Sequence, residues 1–224
     1  MRFMRRLVLP GELITNKDKK FGSGVTKEEG GLHSSLLGLL DEKEDYLRVI
    51  PLSGVYNPKE EDFVVGVVSD TQSTFWRLDI SSPYTSILPG SEYYRELKGD
   101  EKLQQIMPVG SSVYVKIKEV TKTKGVFTTL RWRGTKVLSG GFLIEVTPSK
   151  IPRIIGKNDS MISTLKQETG CEILAGQNGV IWINGPPEKM NLAIDAIRYI
   201  ESNSHKSGLT EQIKNMIIEK RKNV

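Results

Sequence analysis

The sequence is poor in the residues that build reactive centres. It holds one cysteine, Cys171, in 224 residues. One thiol allows no intrachain disulfide and no cysteine-rich zinc site. Its setting, Gly170-Cys171-Glu172-Ile173-Leu174, reads as that of a small buried hydrophobe. Histidine is nearly as scarce, with only His33 and His205, near opposite ends of the chain. That scarcity argues against a histidine-built metal centre and against Ser-His-Asp or Cys-His nucleophile systems. No glycine-rich loop opens a helix with a lysine, so the phosphate cradle of a nucleotide enzyme is missing too. No apolar run approaches the ~18 residues that cross a bilayer. The opening stretch has only about three apolar residues before Pro10, too few for the core of a secretory leader. The expectation is a cytoplasmic protein with no membrane contact, no catalytic residues, no metal and no cofactor.

Neither sign of charge dominates. Lys and Arg total 32 against 27 Asp and Glu, a net charge of +5. The distribution is more telling than the total. Residues 114–136 carry Lys116, Lys118, Lys122, Lys124, Arg131, Arg133 and Lys136 against Glu119 alone, a local charge of +6. Residues 1–20 carry +4 and residues 205–224 carry +3, whereas residues 41–62 carry -4. One 23-residue stretch is thus more basic than the whole molecule.

Composition shifts divide the chain into three expected modules. Residues 1–57 show short strand signals broken by glycine, a small β domain. Residues 58–140 begin with the β-branched run Phe63-Val64-Val65-Gly66-Val67-Val68. Further strands follow at 74–80, 111–120 and 126–133, with Lys122-Thr123-Lys124-Gly125 as a turn and a more polar excursion at 89–108. Several short strands in about 80 residues point to a small barrel. Residues 141–224 change character. A strand at 141–146 leads to a helix at 149–155, with Ser149 as its candidate cap, and a second helix at 160–169. Two strands then flank Gly176-Gln177-Asn178-Gly179, and Asn-Gly is a strong hairpin signal. Pro186-Pro187 opens a helix with Met190, Ile194, Ile197 and Ile200 inward. A last helix, 209–222, places Leu209, Ile213, Met216 and Ile217 on one face. The order is β-α-α-β-β-α plus that helix, and the fold class is multidomain, mainly β with an α+β module.

Strand alternation sorts the barrel residues into two faces. Val113, Val115 and Ile117 point inward, leaving Tyr114, Lys116 and Lys118 outward. Trp76, Leu78 and Ile80 point inward, leaving Phe75 and Arg77 outward. Val126, Leu130 and Trp132 share the core face, and Phe127, Arg131 and Arg133 the other. Three strands therefore each offer an aromatic ring beside Lys or Arg. Cations that track phosphates and rings that stack on bases suit single-stranded nucleic acid. The competing reading is a solvated face whose lysines oppose edge-to-edge aggregation.

With these residues in view, the chain resembles a known family. Asp62 to Val68 followed by Trp76 to Tyr84 is similar to the S1-type OB fold of exosome cap subunits. The third module resembles a type I KH domain. Val8-Leu9-Pro10-Gly11-Glu12 resembles the N-terminal signature of the same caps. The match runs in order over about 200 of the 224 residues, and it identifies an archaeal exosome cap subunit with S1 and KH domains. The resemblance implies a non-catalytic subunit that captures single-stranded RNA and guides its 3' end into the pore of a hexameric ring of RNase PH-like subunits. It implies two further copies of this chain in the cap and a role in stabilising the assembly. A free-standing S1/KH translation or RNA-chaperone factor is the alternative.

In the KH module the usual Gly-x-x-Gly backbone clamp reads Gly156-Lys157-Asn158-Asp159, with Asp159 in place of the second glycine. Arg153 and Lys157 remain as RNA candidates there, and packing or assembly is the role this departure favours. Gly176, Asn178 and Gly179 resemble the Gly-x-Asn-Gly element of exosome KH domains. The N-terminal module is expected to dock on the ring, with Pro10, Gly11, Phe21, Gly22 and Gly24 as the residues to test.

Overall fold

A computed structural model of the chain describes residues 6–43, 45–93, 95, 102–204 and 208–222. Arg2, Arg5 and His205 lie outside these residues, as do positions 94 and 96–101 of the polar excursion. The chain divides into two compact units, the first ending at Gly54 and the second starting at Val55.

The first unit is built from seven strands among its described residues: β1 (Arg6–Val8), β2 (Leu13–Thr15), β3 (Lys20–Phe21), β4 (Val25–Glu28), β5 (Gly31–Ser34), β6 (Gly38–Lys43) and β7 (Tyr46–Pro51). They form two sheets, β1-β6-β7-β3 and β2-β5-β4. Val8, Val25, Leu32, Leu40, Leu47 and Val49 make its core. The connection from β1 to β2 is a tight turn. Glu12 N–H donates to Leu9 O at 3.0 Å, and Gly11 takes φ +80° behind Pro10. Proline then glycine at the two central positions is the sequence a type II turn requires.

The second unit opens with a barrel of β8 (Phe63–Thr71), β9 (Phe75–Asp79), β10 (Ser86–Pro89), β11 (Ser112–Val120) and β12 (Val126–Thr129), with β13 (Lys136–Leu138) added beside β11. The order β12-β10-β9-β8-β11 closes through the β11–β12 pairing, and β10 runs parallel to β12. Closure gives every strand of the ring a partner on both sides. The alternation read from sequence holds for Trp76, Leu78, Ile80, Val113, Val115 and Ile117, all fully buried in one core. Helix α1 (Leu103–Ile106) lies within the excursion, and Trp76 fastens it: the indole N–H is shared between Leu103 O at 3.2 Å and Met107 O at 3.1 Å.

The rest of the unit is β14 (Phe142–Glu145), α2 (Ile151–Ile155), α3 (Ser160–Thr169), β15 (Glu172–Ala175), β16 (Val180–Asn184), α4 (Pro187–Ser202) and α5 (Leu209–Lys222). The sheet order is β14-β16-β15, and the helices cover one face of it over a core that includes Ile154, Leu165, Ile183 and Ile197. Cys171 is buried there. Leu209, Ile213 and Ile217 seat α5 on the same core. Ser149 does not cap α2; a 3-10 turn, Pro148–Lys150, precedes the helix and its cap position is Lys150, with no side-chain cap bond. The strand expected at 126–133 ends at Thr129. Beyond it the chain turns, with Thr135 N–H donating to Trp132 O at 3.2 Å. Trp132, expected in the core, is therefore out of the ladder and 53% exposed. Among the described residues no helix is long and apolar enough to cross a membrane.

Candidate nucleic-acid interface

The barrel's outer face is defined by register. Arg77 on β9 stands opposite Ile87 on β10, and Ile87 stands opposite Phe127 on β12. Phe75 is opposite Pro89 in the neighbouring row. One continuous patch thus joins a cation, two half-buried aromatic rings and an isoleucine that sequence reasoning missed. Its signal was weak, because β10 is four residues long and ends in proline. Arg77 reaches Asp70 at 3.9 Å. The Asp70 carboxyl is held below its ordinary value, first by the Gln72 side chain and then by the Thr71 backbone N–H.

Exposed Lys122 and Lys124 sit in the turn between β11 and β12. Lys124 takes φ +66° and carries its ammonium 5.7 Å from the Tyr84 ring. Beyond the other end of β12, a cavity of about 230 Å³ is lined by Glu61, Glu92, Lys116, Lys118, Thr129, Arg131 and Trp132. Lys118 pairs with Glu92, and that bond holds the Glu92 carboxyl below its usual range against a smaller opposing effect of burial. Arg131 Nε donates to Tyr93 O at 2.9 Å. Arg133 is exposed.

Two expected contact residues occupy other surroundings. Lys116 is only 3% exposed. Its ammonium lies 3.2 Å from the Trp132 ring centroid and 2.6 Å from Glu61. Tyr114 stacks on Phe63 at 5.7 Å and packs with the β14-β16-β15 sheet rather than facing solvent. Burial, and then the charge of Asp159, push its phenol up to about 12. Alternation placed both side chains outside the barrel but could not reveal what covers that side.

Part of the cover is the turn between β15 and β16. Asn178 is 2% exposed. Its Nδ2 donates to Val65 O at 2.8 Å and Ile80 O at 3.0 Å, and its Oδ1 accepts from Val65 N–H at 3.3 Å. Strand β9 has ended at Asp79, so one side-chain amide supplies what the missing strand would have given β8. Gln177 N–H adds a bond to Phe63 O at 2.8 Å. Gly176 is required because a Cβ there would collide with the Asn178 amide and come within 2.7 Å of Val65 N. Gly179 takes φ +88°, and a Cβ on it would strike Val146 O. Val65, Leu138, Val180 and Trp182 form a shared core under this joint.

In the departed clamp, Gly156 ends α2 and Lys157–Asp159 form a 3-10 turn. Asn158 and Asp159 both take left-handed backbone angles, φ +51° and +58°. Lys157 and Arg153 are exposed beside it. In the first unit, Phe21 is 41% exposed. Gly22 lies under the Tyr46 ring, where a Cβ would overlap the hydroxyl. A Cβ on Gly24, which takes φ +78°, would come within 2.8 Å of Val49 O. Among the described residues no three His, Cys, Asp or Glu side chains gather as metal ligands.

Comparison with known proteins follows this architecture. Residues 141–189 match a KH domain model, and residues 5–53 match the model of the exosome RNA binding protein RRP4 N-terminal domain. The chain is 43% identical over 214 residues to the exosome complex component Rrp4 of Methanothermus fervidus, covering 96% of both chains. It is 39% identical to that of Methanobrevibacter smithii, over 94% of this chain and 70% of that one. The Pyrococcus furiosus protein of the same name is 40% identical, over 96% and 84%. A crystal structure assigned to the exosome complex RNA-binding proteins superposes with a TM-score of 0.67 at 31% identity, over 75% of this chain and 98% of that one. The chain belongs to the Rrp4 family of exosome complex components.

Proposed function

We propose that this chain is a non-catalytic RNA-binding cap subunit of an exosome, and that single-stranded RNA lies across the outer face of its barrel. The observation that carries this reading is the row Arg77–Ile87–Phe127 with Phe75 beside it. Rings stack on bases of any identity while flanking cations follow the phosphates. Lys118, Lys122, Lys124, Arg131 and Arg133 flank the patch and supply that charge. The KH module positions the barrel through Asn178 and contributes Arg153 and Lys157 at most to the periphery of the RNA path. The first unit, with Leu7, Leu9, Phe21 and Leu37 exposed, docks the subunit on a hexameric ring of RNase PH-like subunits together with two further copies of the chain. RNA held on the three barrels is led by its 3' end into the ring for degradation.

Lys118, Lys122, Lys124 and Arg131 replaced together by Ala should weaken binding of all single-stranded RNAs. Each lost phosphate contact should lower the log–log salt slope by about 0.7. An unchanged slope would show that these cations are solvated surface. Affinity purification from the native source should recover ring subunits in a complex of several hundred kilodaltons; a lone 25.1 kDa species would favour a free-standing factor.

A further inference from the structure

We infer that Trp132, with the cavity beside it, is a pocket for one nucleobase of the bound RNA, and that Lys116 is the residue that positions the indole. This rests on the RNA-binding reading and adds a site to it. Trp132 is 53% exposed, whereas the other tryptophans, Trp76 and Trp182, are 0% and 2% exposed. A single exposed hydrophobic side chain is ordinary; what sets Trp132 apart is the cavity it lines and the groups that fix its ring. The Lys116 ammonium sits 3.2 Å from the ring centroid and is itself buried. Glu61 holds that ammonium at 2.6 Å. The backbone is fastened as well. The single Thr135 hydroxyl proton is shared between Trp132 O at 2.7 Å and Leu130 O at 2.9 Å, and Arg131 N–H donates to Thr129 Oγ1 at 3.0 Å. An aromatic plane fixed from below and behind loses little entropy when a ring stacks on it.

The walls fit a base rather than a lipid or an apolar helix. Lys118 and Arg131 line the cavity as cations for phosphate, and Glu61 and Glu92 line it as acceptors for base N–H groups. At about 230 Å³ it is below the ~300–1,000 Å³ of sites for larger organic ligands, and it suits one planar ring. The cavity also continues the patch. Thr129, in its wall, follows Phe127 by two residues on β12, about 7 Å along the strand.

The test uses the full chain and two probes: a single-stranded oligoadenylate and an abasic ribose-phosphate oligomer of equal length. Because Trp132 is the exposed tryptophan, oligoadenylate should quench intrinsic fluorescence saturably and the abasic oligomer should not. Trp132→Ala should weaken oligoadenylate binding roughly 5- to 150-fold, the range for losing one stacked base. The salt slope should stay unchanged. Trp132→Phe, which keeps a ring and guards against a folding defect in the alanine variant, should retain most of the affinity. If RNA binds with native affinity to both variants and leaves the fluorescence of the native chain unchanged, the pocket is overturned while the RNA-binding reading stands. If neither oligomer binds the native chain, both fall. If the variants lose association with the ring subunits instead of RNA, the ring is a protein contact and the proposal is wrong.

Discussion

At the scale of single residues, Asn178 has the largest structural consequence for its size. Its amide serves Val65 N–H, Val65 O and Ile80 O while 2% exposed. Truncation would leave these buried groups without their partner, and each unmade bond of this kind costs ~1–3 kcal/mol. Asn178→Ala should therefore lower the unfolding free energy by about 2–4 kcal/mol, read from urea melts; a change below about 0.5 kcal/mol would show that water replaces the amide. Sequence alone showed Asn178 as a good hairpin residue and, through resemblance, as part of a family element. Its hydrogen-bond partners lie more than ninety positions away in the chain, where no local signal reaches. Trp132 failed for a different reason. Alternation assigns faces only inside a ladder, and the ladder stops at Thr129. The glycine at 134, with φ +93°, was the available hint that the strand had already ended.

At the scale of elements, α4 is tied to the start of the KH fold by Glu201. Its carboxylate accepts from Thr147 N–H at 2.7 Å and Thr147 Oγ1 at 3.0 Å, and pairs with Arg198 at 3.0 Å. Burial opposes the charge, but these bonds together hold the carboxyl below its ordinary value. A lowered folded value stabilises the protein above the unfolded value, near 4.3 for glutamate, and that contribution is lost as pH falls through the folded value. Glu201→Gln should then cost ~1 kcal/mol at pH 7, partly screened by solvent. In thermal melts at pH 3 the gap to the native chain should narrow. A gap independent of pH would mean that the bonds, not the charge, matter. The helices and strands of this module were legible because their apolar periods are long and regular, and the order β-α-α-β-β-α followed directly. Strand β10 was not legible. Four residues, Ser86 to Pro89, carry too little pattern, yet they close the barrel and bring Ile87 between Arg77 and Phe127.

At the scale of the whole molecule, the barrel and the KH module share a core of Val65, Leu138, Val180 and Trp182 with Tyr114 and Leu174 against it. They fall within one compact unit from Val55 onward. Shared burial couples their stabilities. Hydrogen exchange in rising urea should show the amides of β8 and β16 losing protection at the same concentration. Separate losses would show that the modules unfold independently.

The same joint sets a limit on modularity. The buried seam of Val65, Leu138, Val180 and Trp182 opposes moving this KH module as a separate cassette. Excised at residue 141, it would carry away Trp182, Val180 and Leu174 uncovered, an adhesive surface on a small sheet with a free β14 edge. The barrel left behind would present Val65 with its backbone unpaired. Insertions or deletions in the four-residue turn from Gly176 to Gly179 would be felt in the barrel as strongly as in the KH fold. The two modules are therefore constrained to change together, and a graft that exchanges one of them must carry the matching half of the seam.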